Sequence, residues 1–298
     1  MHVSGFIGSS SSAALAGRPA LLGCPLDMTA TFRSGTGDAP QRIRDVSDSI
    51  ETYSPFLDRD LEETPFADLG DLDFTGRPLE DALHLIRGAV ADLVRLGGRP
   101  LCVGGEHTIT LPIVEALQES EKEFVIVHLD AHADLRDTYE GDRTNHATVM
   151  RRVVEIVGPA RLVQIGIRSG AREEFRWMRE HGTLIHWEDG AEKALLRRIG
   201  GARVYISLDL DVLDPACFPA TGNPEAGGWF YRDLQRLLHT LDGIELLGAD
   251  VVELNPGLDP SAVGAITSAK IVRELLLILG SNEYVQKTHP EVDTQGFR

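Results

Sequence analysis

Three short stretches of the chain carry side chains able to gather cations. Asp130-Ala131-His132-Ala133-Asp134 follows the apolar run Phe124–Leu129, and in extended chain residues two apart point the same way, so its polar side chains can converge. Asp209-Leu210-Asp211 repeats that spacing after Val204–Leu208, and Gly104-Gly105-Glu106-His107 follows Pro100–Val103. Paired glycines let backbone approach a crowded centre and deliver one imidazole. A lone aspartate at a strand end is ordinarily a cap or turn former. Three clusters together weigh differently: His107, Asp130, His132, Asp134, Asp209 and Asp211 bring four negative charges to three strand ends, at a cost of several kcal/mol per ion if uncompensated. Two divalent ions cancel that charge. Mixed carboxylate and imidazole ligation, with no cysteine in any cluster, suits Mn²⁺ better than the thiolate-rich sites of structural zinc.

Two neighbouring features are read otherwise. Asp68-Leu69-Gly70-Asp71-Leu72-Asp73 contains no imidazole and runs into Phe74-Thr75-Gly76, so it reads as a turn or loop. His128 is assigned the side-chain parity opposite to Asp130 and reads as a satisfied sheet histidine.

The elements that must position the clusters are short apolar runs alternating with amphipathic stretches, the pattern of βα units around a parallel sheet. The runs are Ala20–Cys24, Phe66–Leu69, Pro100–Val103, Phe124–Leu129, Leu162–Ile167, Thr183–Ile185, Val204–Leu208 and Ile244–Val252. Several are apolar at successive positions, as strands covered on both faces are. Leu79–Leu96 has helical periodicity, with Pro78 suited to the first helical position, and Ser261–Leu279 is a second helix. No linker or repeat divides the chain, so residues 1–298 read as one α/β domain. Residues 1–19 form an N-terminal extension, and the polar stretch 281–298 is a loose tail or a subunit contact. In such a sheet the loops at the carboxyl ends of the strands build the site, which is where all three clusters lie.

Composition narrows the function. The 298 residues carry 29 Lys+Arg against 46 Asp+Glu, a net charge of -17. Such a surface repels phosphate backbones and anionic lipid, and there is no local basic cluster, so neither nucleic acid nor a membrane surface is an expected partner. Cys24, Cys102 and Cys217 are odd in number and widely spaced, which favours a reducing cytoplasm and buried thiols. The N-terminus has no secretory pattern, and no run of apolar residues is long enough to span a bilayer.

These motifs resemble the ureohydrolase family of arginases, agmatinases, guanidinobutyrases and formiminoglutamases. Gly-Gly-Glu-His at 104–107, Asp-Ala-His-Ala-Asp at 130–134, Ser-Leu-Asp-Leu-Asp-Val-Leu-Asp-Pro at 207–215, Gly-Asn-Pro-Glu-Ala-Gly-Gly at 222–228 and Val-Val-Glu-Leu-Asn-Pro at 251–256 stand in the family's order. The resemblance spans roughly Ala20 to Leu279. It implies a three-layer α/β/α sandwich around a mostly parallel sheet, two Mn²⁺ per subunit and a homo-oligomer, trimer or hexamer. One ion is then held by His107, Asp130, Asp134 and Asp209, and the other by Asp130, His132, Asp209 and Asp211. Glu253 matches the carboxylate that binds guanidinium, and His146 matches a mobile-loop histidine that relays protons. Asp134 is assigned the proton shuttle to the departing amine. Glu106, often aspartate in the family, is not expected to bind metal.

The resemblance implies hydrolysis of a small cationic guanidino compound to urea and an amine. The loop Glu140-Gly141-Asp142-Arg143-Thr144-Asn145-His146 lacks the pattern that reads an α-amino acid end, so agmatine, giving putrescine for polyamine biosynthesis, is favoured. Aminopropyl-agmatine is the alternative suggested by Asp-Leu-Arg-Asp-Thr-Tyr-Glu-Gly at 134–141, followed by guanidinobutyrase, arginase or formiminoglutamase specificity. Outside this class stand a two-metal phosphoesterase, which calls for Lys or Arg beside the metals, and a guanidine or polyamine binder without turnover.

Overall fold

A computed structural model describes residues 5–10 and 15–288. Its strands are β1 (Pro19–Cys24), β2 (Tyr53–Ser54), β3 (Arg59–Asp60), β4 (Ala67–Asp71), β5 (Arg99–Gly104), β6 (Phe124–Leu129), β7 (Leu162–Ile165), β8 (Leu184–Ile185), β9 (Arg203–Asp209) and β10 (Leu246–Val252). Its α-helices are α1 (Ala39–Ser47), α2 (Leu79–Arg95), α3 (Thr110–Ser120), α4 (Val149–Val157), α5 (Arg172–His181), α6 (Ala191–Ile199), α7 (Tyr231–Thr240) and α8 (Val263–Thr288). Eight strands form one sheet in the order β4-β1-β5-β10-β9-β6-β7-β8, and every pairing in it is parallel. β2 and β3 make a separate antiparallel ribbon.

Strand alternation explains the layers. In β6, Val125, Val127 and Leu129 join a core with Ile43 of α1, Leu195 of α6, Leu237 of α7 and Leu275 of α8. Phe124 and Ile126 face the other way, into a core with Ile86 of α2, Val114 of α3, Val153 of α4 and Met178 of α5. Side chains of a strand point alternately to opposite faces, so a run apolar at every position needs cover on both. Helix, sheet and helix therefore stack as the three-layer α/β/α sandwich expected. For the site, the decisive fact is that β5, β10, β9 and β6 are neighbours, so their parallel carboxyl ends lie side by side.

The boundaries depart from the sequence reading in four places. Asp68 and Asp71 are not in a loop: β4 continues through Asp71, and both carboxylates engage the buried Arg44 guanidinium, Asp68 at 2.8 Å. The acids there answer a cation supplied by α1. Pro78 stands one residue before α2, extended at ψ 161°, and caps it from outside the first turn. Helix α8 runs on to Thr288, so the segment expected as a tail from Ser281 begins as helix. Loss of apolar period does not forbid helical backbone, and no proline intervenes before Pro290. The rest of that tail, 289–298, and residues 1–4 and 11–14 of the N-terminal extension lie outside the described residues. His128 is the fourth correction: residues 128 and 130 are two apart, and their side chains meet, with Nε2 at 2.8 Å from Oδ2 of Asp130.

Candidate metal centre

His107 enters through a tight backbone crossing. A Cβ on Gly105 would lie 1.8 Å from the carbonyl oxygen of Leu26, so only glycine lets β5 turn into the His107 segment here. Glu106 points away from the cluster. Its buried carboxylate accepts the N–H groups of Met28 (2.8 Å) and Thr29 (2.6 Å) and the hydroxyl of Thr29 (2.8 Å), tying down the loop after β1.

The tautomer of His107 follows from its neighbours. Asp250 accepts from the hydroxyls of Tyr205, Thr110 (2.9 Å) and Ser207 (3.0 Å). Ser207 has thus spent its one proton, and at 2.9 Å from His107 Nε2 it must accept. Nδ1 is left with its lone pair, buried and without a hydrogen-bond partner. It faces Oδ2 of Asp130 (3.2 Å), Asp134 (3.2 Å) and Asp209 (3.3 Å). A lone pair meeting three carboxylate oxygens describes a hole shaped for a cation. Burial disfavours charge on this imidazole, yet Asp130, Asp134 and Asp209 outweigh it and hold its pKa well above the ordinary histidine value, so that without a cation a proton takes the Nδ1 lone pair in its place.

A second group adjoins the first. His132 Nδ1 lies 2.8 Å from Asp211 Oδ2 and 3.6 Å from Asp130 Oδ1. Burial lowers the pKa of this histidine, but Asp211 and Asp130 prevail and push it up to about 12. Asp130 thus turns one oxygen to each group. Asp209 turns Oδ2 to the first, while its Oδ1 accepts the N–H of Asp211 at 2.8 Å. The donor set of imidazole nitrogen and carboxylate oxygen, the orphaned Nδ1 and the unbalanced charge all fit divalent metal.

Asp134 is held at φ 52°, a left-handed conformation rare outside glycine. Its carbonyl accepts from Arg151 N (3.0 Å), and the next N–H, of Leu135, donates to Glu174 (2.8 Å). Burial and the adjacent Asp130 raise its carboxyl to about 7. Glu253, just beyond β10, is likewise left-handed at φ 68°, and its Oε1 accepts the backbone N–H of His107 at 2.8 Å. Burial raises it to about 8.

Asp134, His132, Asp211, Glu253 and His146 line one open cleft of about 270 Å³. His146 opens a short helical turn whose cap, Asn145, accepts from Ala147 N at 3.1 Å. Its ring nitrogens lie 3.4 Å from Thr29 Oγ1 and 3.5 Å from Thr31 Oγ1, and burial lowers its pKa. The cleft lining also includes Arg136, stacked 4.7 Å above the Tyr139 ring and 3.6 Å from Glu174.

All eight residues singled out in the sequence therefore meet in one place. Several supporting residues escaped that reading. Asp250 interrupts an apolar strand run, which was a usable signal. Thr29 lies far away in sequence and gives none. Arg168, whose Nη2 donates to the carbonyls of Asp211 (2.8 Å) and Glu225 (2.7 Å), ties the Asp211 turn to the 222–228 loop and is equally silent in sequence.

Fold and site together define an α/β protein whose central strand ends build a carboxylate–histidine cluster suited to a divalent metal. Residues 18–278 match the arginase family. The agmatinase of Bacillus anthracis is 40% identical over 261 residues, covering 86% of this chain and 90% of that one. The guanidinopropionase of Pseudomonas aeruginosa is 38% identical over 278 residues, covering 88% and 86%. A crystal structure of a putative agmatinase from Clostridium difficile superimposes with a TM-score of 0.87 at 36% identity, covering 91% of this chain and all of that one. The chain belongs to the arginase family.

Proposed function

We propose that this protein is a manganese-dependent ureohydrolase that converts agmatine to putrescine and urea. The observation that carries the reading is the pairing, in one cleft, of the charge-unbalanced acidic cluster with Glu253, a carboxylate outside the cluster that faces the same space. With two divalent ions offsetting the four ligand aspartates, the Glu253 carboxylate would remain to meet a guanidinium. The relatives named agmatinase support the substrate.

His107, Asp130, Asp134 and Asp209 would hold one ion, and Asp130, His132, Asp209 and Asp211 the other. The metal pair supplies Lewis acidity that activates water for attack on an otherwise unreactive guanidinium carbon. Glu253 accepts guanidinium N–H groups and orients the carbon, its own position set by the His107 amide. Asp134, which lines the same cleft, would take a proton from the attacking water and pass it to the departing amine. His146, half-buried in the cleft lining, would relay protons between the cleft and bulk water.

One observation favours a second reading. Arg136 places a cation in the cleft lining, which would pair with the carboxylate of a guanidino acid. Urea release from agmatine, aminopropyl-agmatine, 4-guanidinobutyrate, 3-guanidinopropionate and arginine, with Mn²⁺ added, separates the two. Agmatine is expected to show the highest kcat/KM. A guanidino acid in that place would replace the substrate assignment, and urea from none would overturn the activity.

A further inference from the structure

His128, Gln164 and Thr183 are fully buried polar residues behind the metal centre, and none of them faces the cleft. His128 lies close enough to His107, Asp130 and Asp134 to pass for a fourth ligand of the first group. Its hydrogen bonds say otherwise. Gln164 donates from Nε2 to the carbonyl of Ala133 at 2.9 Å, and since a carbonyl only accepts, the orientation of that amide is settled. Its Oε1 accepts from the Thr183 hydroxyl at 3.0 Å, in agreement. The same Nε2 lies 3.2 Å from His128 Nδ1, which must therefore be the unprotonated nitrogen. The proton sits on Nε2, which donates to Oδ2 of Asp130 at 2.8 Å. A nitrogen carrying that proton has no lone pair for a metal.

We propose that Thr183, Gln164 and His128 form a positioning chain that locks one histidine tautomer and so aims the shared carboxylate of Asp130 at both cation positions. The proposal rests on the metal-centre reading above. Asp130 needs such help because it turns an oxygen to each group, Oδ2 to His107 and Oδ1 to His132, whereas Asp209, the other carboxylate assigned to both ions, has its Oδ1 already fixed by the Asp211 N–H. The other oxygen is fixed as well, by the backbone N–H of His132 at 2.5 Å. With a donor on each oxygen the carboxylate plane cannot rotate, and its remaining lone pairs stay directed at the cations. Partners of this kind typically contribute 10–100-fold in metal affinity.

The test uses Mn²⁺ alone, titrated against a competing chelator, with no turnover assay. In the wild type, ¹⁵N chemical shifts of the His128 ring should report Nδ1 unprotonated and Nε2 protonated, with or without metal. His128→Phe removes the donor and should weaken Mn²⁺ binding about 10–100-fold. His128→Gln returns an N–H near the position of Nε2 and should recover most of that loss. A packing role predicts the reverse order, because glutamine leaves buried polar atoms where phenylalanine leaves none. The proposal is overturned by a protonated Nδ1 in the wild type, by unchanged affinity in His128→Phe, or by His128→Gln binding no better than His128→Phe. Absence of Mn²⁺ uptake by the wild type is a separate result: it would remove the metal centre and the proposal with it. The ring measurement needs no variant to fold.

Discussion

Glu253 holds a left-handed backbone conformation at φ 68° and a carboxyl raised to about 8 by burial, a costly arrangement for a residue with only a structural duty. Its Oε1 already takes one backbone N–H from His107, which leaves Oε2 for a ligand. Replacing it by glutamine keeps the shape and the acceptor at Oε1 but removes the charge. Glu253→Gln should lower kcat/KM for agmatine by about 10²–10³-fold, the range seen when one preorganised polar partner of a reacting group is lost. Its Mn²⁺ content, read by elemental analysis, should stay at the wild-type value. His146 is separated from the ligands in a similar way, since its ring meets Thr29, Thr31 and the Tyr139 ring rather than any carboxylate of the cluster. His146→Ala should therefore cost rate, about 10²–10⁴-fold, with metal retained. Asp130→Ala and Asp209→Ala should lose both, and equal metal loss in all three variants would contradict the assignment.

At the scale of elements, what could be read from sequence was whatever is written in local order. The strand runs and the Asp-x-His-x-Asp spacing encode side-chain direction directly, so the ligand stretches could be placed at strand ends without knowing which strands touch. Contacts made across the chain were not legible. Arg44 supplies the partner that makes Asp68 and Asp71 structural, and nothing near position 68 announces it. Thr29 meets His146 across more than a hundred residues for the same reason. Helix α8 passes its apolar period because helical backbone does not require that period to continue. One local signal does carry a long-range demand, the glycine pair before Glu106. Gly105→Ala would drive a methyl into the Leu26 carbonyl, and the backbone of β5 must move to admit it. The variant should lose about 1–3 kcal/mol of stability. It should also bind Mn²⁺ more weakly, because Gly105 O accepts from Glu253 N and the next two residues are Glu106 and His107. Chemical denaturation and Mn²⁺ titration of the same sample would check both effects, and wild-type values in each would refute the argument.

For the whole molecule, the sheet order brings four strand ends together and concentrates there four of the charges behind a net -17. That concentration makes stability depend on metal and pH jointly. In the metal-free protein Asp134 rises from 3.8 to about 7 and Glu253 from 4.5 to about 8, chiefly through burial. A carboxyl with a raised folded value binds its proton more tightly in the native state. Its contribution is complete below the ordinary value and is lost as pH climbs through about 7 and about 8. His132, raised from 6.5 to about 12 by Asp211 and Asp130 against the opposing effect of burial, acts with the same sign above 6.5. Every one of these groups therefore makes the stripped protein less stable as pH rises. Divalent ions reverse the balance: they neutralise the carboxylates and take the imidazole lone pairs, and their binding strengthens as those ligands shed protons. The Tm of chelated protein should fall between about pH 6 and about pH 8.5, while that of Mn²⁺-loaded protein changes little, so the gain on adding Mn²⁺ widens with pH. Thermal unfolding with and without chelator at matched ionic strength measures it. A gain that is constant or shrinks toward high pH would mean that the acidic cluster is neutralised by something other than a metal.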